Sequence, residues 1–352
     1  MERENERLKK IQLFEDEFRA KVSKIFKKVP LHIRSISPSL GTPSSNINIS
    51  FPTENEKIIN SDYFLNEKKN LIHFTSLKAL YSIINEQSLR LYNLNNSNDP
   101  HEYNYAAKNY SIIYKNQGYI QKDINLYFNK LKTNAFILSL TESKELYNDS
   151  FWKSYADNGR GVAIEFEIVN KSSEWENFYF TKVKYGGLEK LKKVINNVIK
   201  LQAKYPSNTY NLELYPFFGL HKTNNERWRQ ENEIRILTYN SFIKDYEDSI
   251  YWDIRFENND LIETRYFKLP LYSMNALEAN KCQKIPDLKI AKIYFGPNIN
   301  YPSIFPNSGF NDFKNELWHY IYKYFGKILD YKDLIDINEF TRKNNLRKNK
   351  DL

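Results

Sequence analysis

Asn232-Glu233-Ile234-Arg235-Ile236-Leu237-Thr238-Tyr239 is the stretch that decides the fold class. Polar and apolar residues alternate through its first half, the period of a strand with two unlike faces. Further strand-like runs follow at about 249–255 and 261–268, and at 290–295 before Gly296-Pro297. Upstream, strands are mixed with helices. Asn70–Phe74 reads as a short strand, and Ser76 as the cap of a helix whose inward face is Leu77, Leu80, Tyr81 and Ile84. A strand at Leu89–Tyr92 comes next, then helices to about Tyr114 and over about 119–131. Asn134–Thr141 is a buried strand, Asp149–Ala156 a short helix, Gly161–Glu167 a half-buried strand. Phe178–Tyr185 is a strand closed by Gly186-Gly187, and Leu188–Ala203 and much of Leu212–Lys222 read as helical. Helices among the early strands and consecutive strands later predict an α+β fold. Its centre is a mixed, mostly antiparallel sheet with flanking helices, not a doubly wound α/β sheet.

The two ends differ from this middle. Residues 1–29 carry Leu8, Ile11, Leu13, Phe14, Phe18 and Val22 at helical spacing. That apolar face needs a partner, either the main domain or another copy of the chain. Residues 35–60 are rich in Ser, Asn and Pro and read as a linker or long loop. Phe313–Ile328 reads as an amphipathic aromatic helix, and a basic tail holding Arg342, Lys343, Arg347 and Lys348 ends the chain. The expected division is a helix and linker over 1–60, an α+β domain over 61–300, and C-terminal helices with the tail over 301–352.

Composition narrows the function classes. The 352 residues suffice for a sizeable core. Lys and Arg number 52 against 43 Asp and Glu, a net charge of +9, compatible with a nucleic-acid or nucleotide partner and equally with a solvated lysine-rich surface. The single cysteine, Cys282, excludes an intramolecular disulfide framework and a Cys-rich zinc site. The charged start and the lack of a long apolar run predict a cytoplasmic protein without a membrane span.

Several residues are candidates for chemistry. His73 ends a strand before a helix start, where its imidazole could meet a ribose hydroxyl, or it is a buried structural histidine. Asp99, Pro100 and Glu102 are accounted for by a capping box, leaving Asn98 as the residue presented to a ligand. Trp152 and Tyr155 share a helix face, as core residues do, or as walls for a planar ring. Glu231, Glu233 and Arg235 share one face of the strand quoted above. They form either a solvent face or a polar cleft whose carboxylate stabilises a cationic sugar centre. Glu233 is preferred as the deeper of the two carboxylates. The five histidines lack metal-ligand spacing, and no phosphate loop, dinucleotide fingerprint or nucleophile elbow occurs.

Taken in order, His73–Ser76, Asn98–Glu102, Ser139–Thr141 with Trp152, Tyr155 and Gly161–Phe166, Trp228–Arg235 and Ile293–Pro297 resemble the bacterial family called domain of unknown function 2971. More distantly, His73-Phe74-Thr75 with the helix after it looks like the entry motif of the ADP-ribosyltransferase superfamily. That resemblance implies an ADP-ribosyltransferase-like fold and NAD as substrate. It implies that His73, with Thr75 and Asn98 nearby, binds NAD, that Trp152 or Tyr155 frames the nicotinamide, and that Glu231 or Glu233 is catalytic. The expected protein is a toxin or antiviral-defence effector with a nucleic acid or a protein as acceptor. Arg342, Lys343, Arg347 and Lys348 would contact the nucleic acid. A nucleic-acid-binding module, or a sensor that oligomerises through its terminal helices, are the alternatives without NAD chemistry.

Overall fold

A computed structural model describes residues 2–23, 32–38, 45–50, 61, 63–65, 70–96, 102–116, 121–206, 208–213, 215–240, 250–257, 260–273, 284–299, 309–339 and 341. The chain opens with α1 (Glu2–Ser23), β1 (His32–Pro38), β2 (Ser45–Ser50), β3 (Leu71–Thr75), α2 (Leu77–Glu86) and β4 (Ser88–Asn93). It continues through α3 (Glu102–Asn116), α4 (Gln121–Thr133), β5 (Ala135–Glu142), α5 (Asp149–Tyr155), β6 (Val162–Ile168), β7 (Phe178–Lys182), β8 (Lys184–Tyr185) and α6 (Leu188–Lys204). Then come β9 (Asn208–Glu213), β10 (His221–Lys222), α7 (Glu226–Arg229), β11 (Ile234–Tyr239), β12 (Ile250–Glu257), β13 (Asp260–Pro270), β14 (Leu288–Phe295), α8 (Phe310–Phe325) and β15 (Leu334–Asp336).

The large sheet runs β12-β13-β4-β5-β3-β6-β14-β15, with β11 on the other edge of β5 and β7 beyond it. Its pairs are antiparallel except β14 with β15, so the class is α+β with a mixed, mostly antiparallel sheet. The main core lies against this sheet. Leu80, Ile83 and Ile84 of α2 and Phe313, Leu317, Ile321 and Phe325 of α8 are buried there with Phe166, Phe180 and Ile236. Burial of such side chains, about 1.5–3 kcal/mol each, drives the packing.

A second core joins the N-terminal helix to the rest. Ile11, Phe14 and Phe18 of α1 are buried with Leu191, Val194 and Val198 of α6 and Ile47 and Ile49 of β2. Phe14 meets the Tyr205 ring edge-on at 6.1 Å. The rest of the chain therefore covers Ile11, Phe14 and Phe18 of α1, while Leu8 and Leu13 stay exposed. The expected linker is corrected here: residues 45–50 form β2, antiparallel to β1 and parallel to β9. Asn46-Ile47-Asn48-Ile49 alternates at the strand period, and both isoleucines are fully buried. The helical reading of Leu212–Lys222 is also overturned. β9 occupies its start, Tyr215–Leu220 is a short 3-10 turn, and His221–Lys222 is β10, paired with β8. Pro216 and Gly219 break a helix, and β2 supplies β9 with a partner that local sequence does not show.

Among the described residues no helix is long and apolar enough to cross a membrane.

Candidate functional site

The site begins with a forked strand. One edge of β5 pairs with β11, from Ala135 opposite Tyr239 to Leu140 opposite Ile234. The other edge is shared. Phe136 and Ile137 pair with Asn93 and Tyr92 of β4, while Thr141 and Glu142 pair with Ile72 and Leu71 of β3. Between these contacts β3 and β4 part from each other. A hollow of about 390 Å³ lies in that region, lined by His73 and Thr75 of β3, α2 residues such as Lys78 and Glu86, Arg90 and Tyr92 of β4, and Asp253 and Thr264 of the outer strands. Ser76 starts α2 by accepting the Ala79 backbone N–H on its Oγ at 3.1 Å, and Gln87 ends it with φ 49°.

His73 Nδ1 donates to the Ser139 carbonyl oxygen at 3.1 Å. A carbonyl only accepts, so the neutral ring carries its proton on Nδ1 and offers a lone pair at Nε2. Burial holds its pKa below the ordinary histidine value, against the pull of the Ser139 carbonyl. The ring is therefore an acceptor for a hydroxyl or amide donor, not a cation for a phosphate. Thr75 continues the strand. A Cβ at Gly161 would lie 2.2 Å from the Thr75 carbonyl oxygen, so only glycine lets the next strand approach. The turn leading there holds Asp157, Asn158 and Gly159 at φ 48°, 55° and 82°.

The late carboxylates form a second cluster. Glu233 Oε1 accepts Ser139 Oγ at 2.5 Å and Arg235 Nε at 2.7 Å. Its Oε2 accepts Arg235 Nη2 at 3.0 Å and Lys222 Nζ at 2.7 Å. Arg235 is 0 % exposed, and its Nη1 donates to the Gly219 carbonyl at 2.5 Å. Lys222 Nζ also reaches Glu231 Oε2 at 2.9 Å, and Tyr155 donates its hydroxyl to Glu231 Oε1. Burial pushes Glu233 up in pKa while Lys222 pulls it down. Burial works downward on Lys222, yet the two carboxylates together hold it above its ordinary value. Burial, then the Glu231 hydrogen bond, keeps the Tyr155 phenol protonated.

These contacts revise the strand-face picture. Glu231 does not alternate with Glu233. Asn232, with φ 44°, stands between them in the left-handed region, and the Glu231 and Asn232 N–H groups close the α7 turn onto Trp228 and Arg229. Lys222 is what gathers the two carboxylates. The four acceptor sites of Glu233 are filled, so it organises cations. Glu231 has lone pairs to spare and lies on the more open side.

Trp152 stands elsewhere. It is 3 % exposed, donates Nε1 to the Leu146 carbonyl at 2.9 Å and meets Phe74 edge-on at 5.0 Å. It is a satisfied core tryptophan on the Phe74 side of β3 and does not line the hollow. The structure brings together His73 with Thr75, and Tyr155 with Glu231 and Glu233. Among the described residues Ser139 joins the two groups, through its carbonyl and its hydroxyl. Asn98, Arg342, Lys343, Arg347 and Lys348 lie outside the described residues. The roles of Ser139, of Lys222 and of Tyr185, whose hydroxyl accepts the Glu233 N–H at 3.3 Å, were not read from the sequence. The sequence places Lys222 in the polar segment before Glu231, but not its bridge to both carboxylates.

Residues 151–236 match the family described as Protein of unknown function (DUF2971). The DUF2971 segment runs from α5 into β11. It contains Tyr155, Lys222, Glu231, Glu233 and Arg235, while His73 and Ser139 precede it. The family resemblance therefore holds over the segment that carries the carboxylate cluster. No curated protein and no solved structure matches the chain.

Proposed function

We propose that the chain is an NAD-dependent, ADP-ribosyltransferase-like enzyme, a toxin or antiviral-defence effector that moves ADP-ribose onto a nucleic acid or a protein. The observation that carries this reading is the linkage through Ser139, which ties an imidazole of β3 to a carboxylate beside β11. The parting of β3 from β4 along one edge of β5 supports an ADP-ribosyltransferase-like fold, since it opens a hollow next to that imidazole. At about 390 Å³ the hollow lies within the range of small-molecule sites, roughly 300–1,000 Å³. It suits one nucleoside half of a dinucleotide.

In this reading His73 Nε2 accepts a ribose hydroxyl and orients NAD. The C1′–N bond of the nicotinamide ribose breaks, and its electron pair leaves with nicotinamide, neutralising the pyridinium. Glu231, held by Tyr155 and Lys222, stabilises the cationic C1′. The acceptor's oxygen or nitrogen then bonds to C1′ and passes its proton to Glu231. Glu233 is a positioning residue that fixes Lys222, Arg235 and Ser139. Tyr155, which is partly exposed and holds Glu231, frames the nicotinamide outside the lining of the hollow, and Trp152 supports β3 from behind.

The test is NAD loss and transfer of labelled ADP-ribose in cell extract. Glu231→Gln is expected to abolish transfer while the protein stays folded, and His73→Ala to raise KM for NAD. Transfer that persists undiminished in Glu231→Gln, or a native chain that neither binds nor consumes NAD, rejects the reading.

A further inference from the structure

The outer strands continue the hollow onto an exposed sheet face that the NAD reading leaves unassigned. In the β4–β13–β12 register Tyr92 stands opposite Tyr266, and Tyr266 opposite Tyr251, making a cross-strand row on one sheet face. Tyr251 and Tyr266 stack at 5.9 Å with planes 16° apart, and Tyr92 lies 6.0 Å from Tyr266. Tyr266 is covered by its neighbours. Tyr92 and Tyr251 are 42 % and 39 % exposed. Cations interleave with the rings: the Arg90 guanidinium sits 4.2 Å over Tyr266 and Lys268 Nζ 4.2 Å over Tyr251.

The same face opens into the hollow through Arg90, Tyr92 and Thr264. Two hydroxyls in the hollow's lining, Ser88 Oγ and Thr264 Oγ1, are buried and have no hydrogen-bond partner among the described residues. They belong to residues only 5 % and 1 % exposed. A buried hydroxyl without a partner is unfavourable, and a polar ligand relieves it.

We infer that this tyrosine row, together with the hollow beside it when NAD does not occupy that hollow, binds single-stranded nucleic acid. Exposed rings on a sheet face stack bases of any sequence, and the orphaned hydroxyls bond base edges or sugar hydroxyls. Arg90 and Lys268 meet the phosphates on a chain of net charge +9. Glu86 pairs with both cations, at 2.5 Å and 3.2 Å, and Asp253 with Arg90 at 3.4 Å. These carboxylates leave little net positive charge on the face. Stacking then dominates, and affinity falls only shallowly with salt, unlike binding through a lysine-rich tail.

The experiment titrates the NAD-free chain against labelled oligouridine and oligothymidine, read by fluorescence anisotropy at low and higher salt. The variants are Tyr92→Ala with Tyr251→Ala, Tyr322→Ala as an exposed tyrosine on α8, and a chain with Arg342, Lys343, Arg347 and Lys348 neutralised. The tyrosine pair is expected to weaken binding roughly tenfold or more, while the other two retain it. Absence of binding by the native chain overturns the inference. So does equal weakening by Tyr322→Ala, or loss that follows the tail and spares the tyrosine pair. NAD turnover is measured separately, so a chain inert toward NAD still decides this point.

Discussion

Acid should destabilise this protein through His221. Its Nδ1 lies 2.7 Å from the Gly186 carbonyl, and its Nε2 lies 3.0 Å from the Tyr63 hydroxyl. The carbonyl fixes Nδ1 as the donor, so Nε2 accepts from Tyr63 and the neutral ring is satisfied on both sides. Burial, with a contribution from the Lys184 charge and against the Gly186 hydrogen bond, lowers its pKa from 6.5 to about 4. A depressed histidine contributes stability above the unfolded value of 6.5 and loses it as pH falls toward about 4. Linkage between those two values gives a loss of about 2 kcal/mol from about pH 7 to about pH 5. His73, lowered by burial, adds a loss of the same sign. Glu142 is held at about 2, chiefly by Lys182, and titrates below this window. Glu233 and Asp287, both raised by burial, act in the opposite direction.

Comparison with His221→Gln cancels those other groups, because the glutamine keeps a donor and an acceptor but does not titrate. Urea unfolding of both chains across that pH range measures the difference. The native chain should lose about 2 kcal/mol more than the variant. Equal losses in the two would refute the reasoning, whatever the variant's absolute stability.

Glu233→Gln should cost about 3–5 kcal/mol in urea unfolding, since it leaves the fully buried Arg235 without its counter-charge; a cost near that of a surface substitution would show the cluster to be solvated. Gly161→Ala drives a Cβ into the Thr75 and Ala156 backbones and should lower stability by about 1–3 kcal/mol. An unchanged melting temperature would mean that the turn relaxes freely.

Much of this fold was legible because its elements carry local signals. The β11 run, the Ser76-capped helix and the aromatic face of α8 announce themselves by period and cap. The family resemblance was legible in short blocks, and the match over residues 151–236 covers those at Trp152–Phe166 and Trp228–Arg235. Failures came where a neighbour distant in the chain decides the outcome. β2 looked like a polar linker because its two buried isoleucines matter only once α1 and α6 close over them. β9 was hidden because its pairing partner is β2.

The amino-acid order by itself determined the α+β class, the Ser76 cap and the set of side chains able to do chemistry. Only tertiary structure decided how they are grouped. Ser139 joins His73 to Glu233, Lys222 gathers both carboxylates, and Trp152 turns into the core away from the hollow. Periodicity fixes which face of a strand a residue takes. Which strands meet on that face depends on long-range pairing and burial, and no spacing within the chain encodes those contacts.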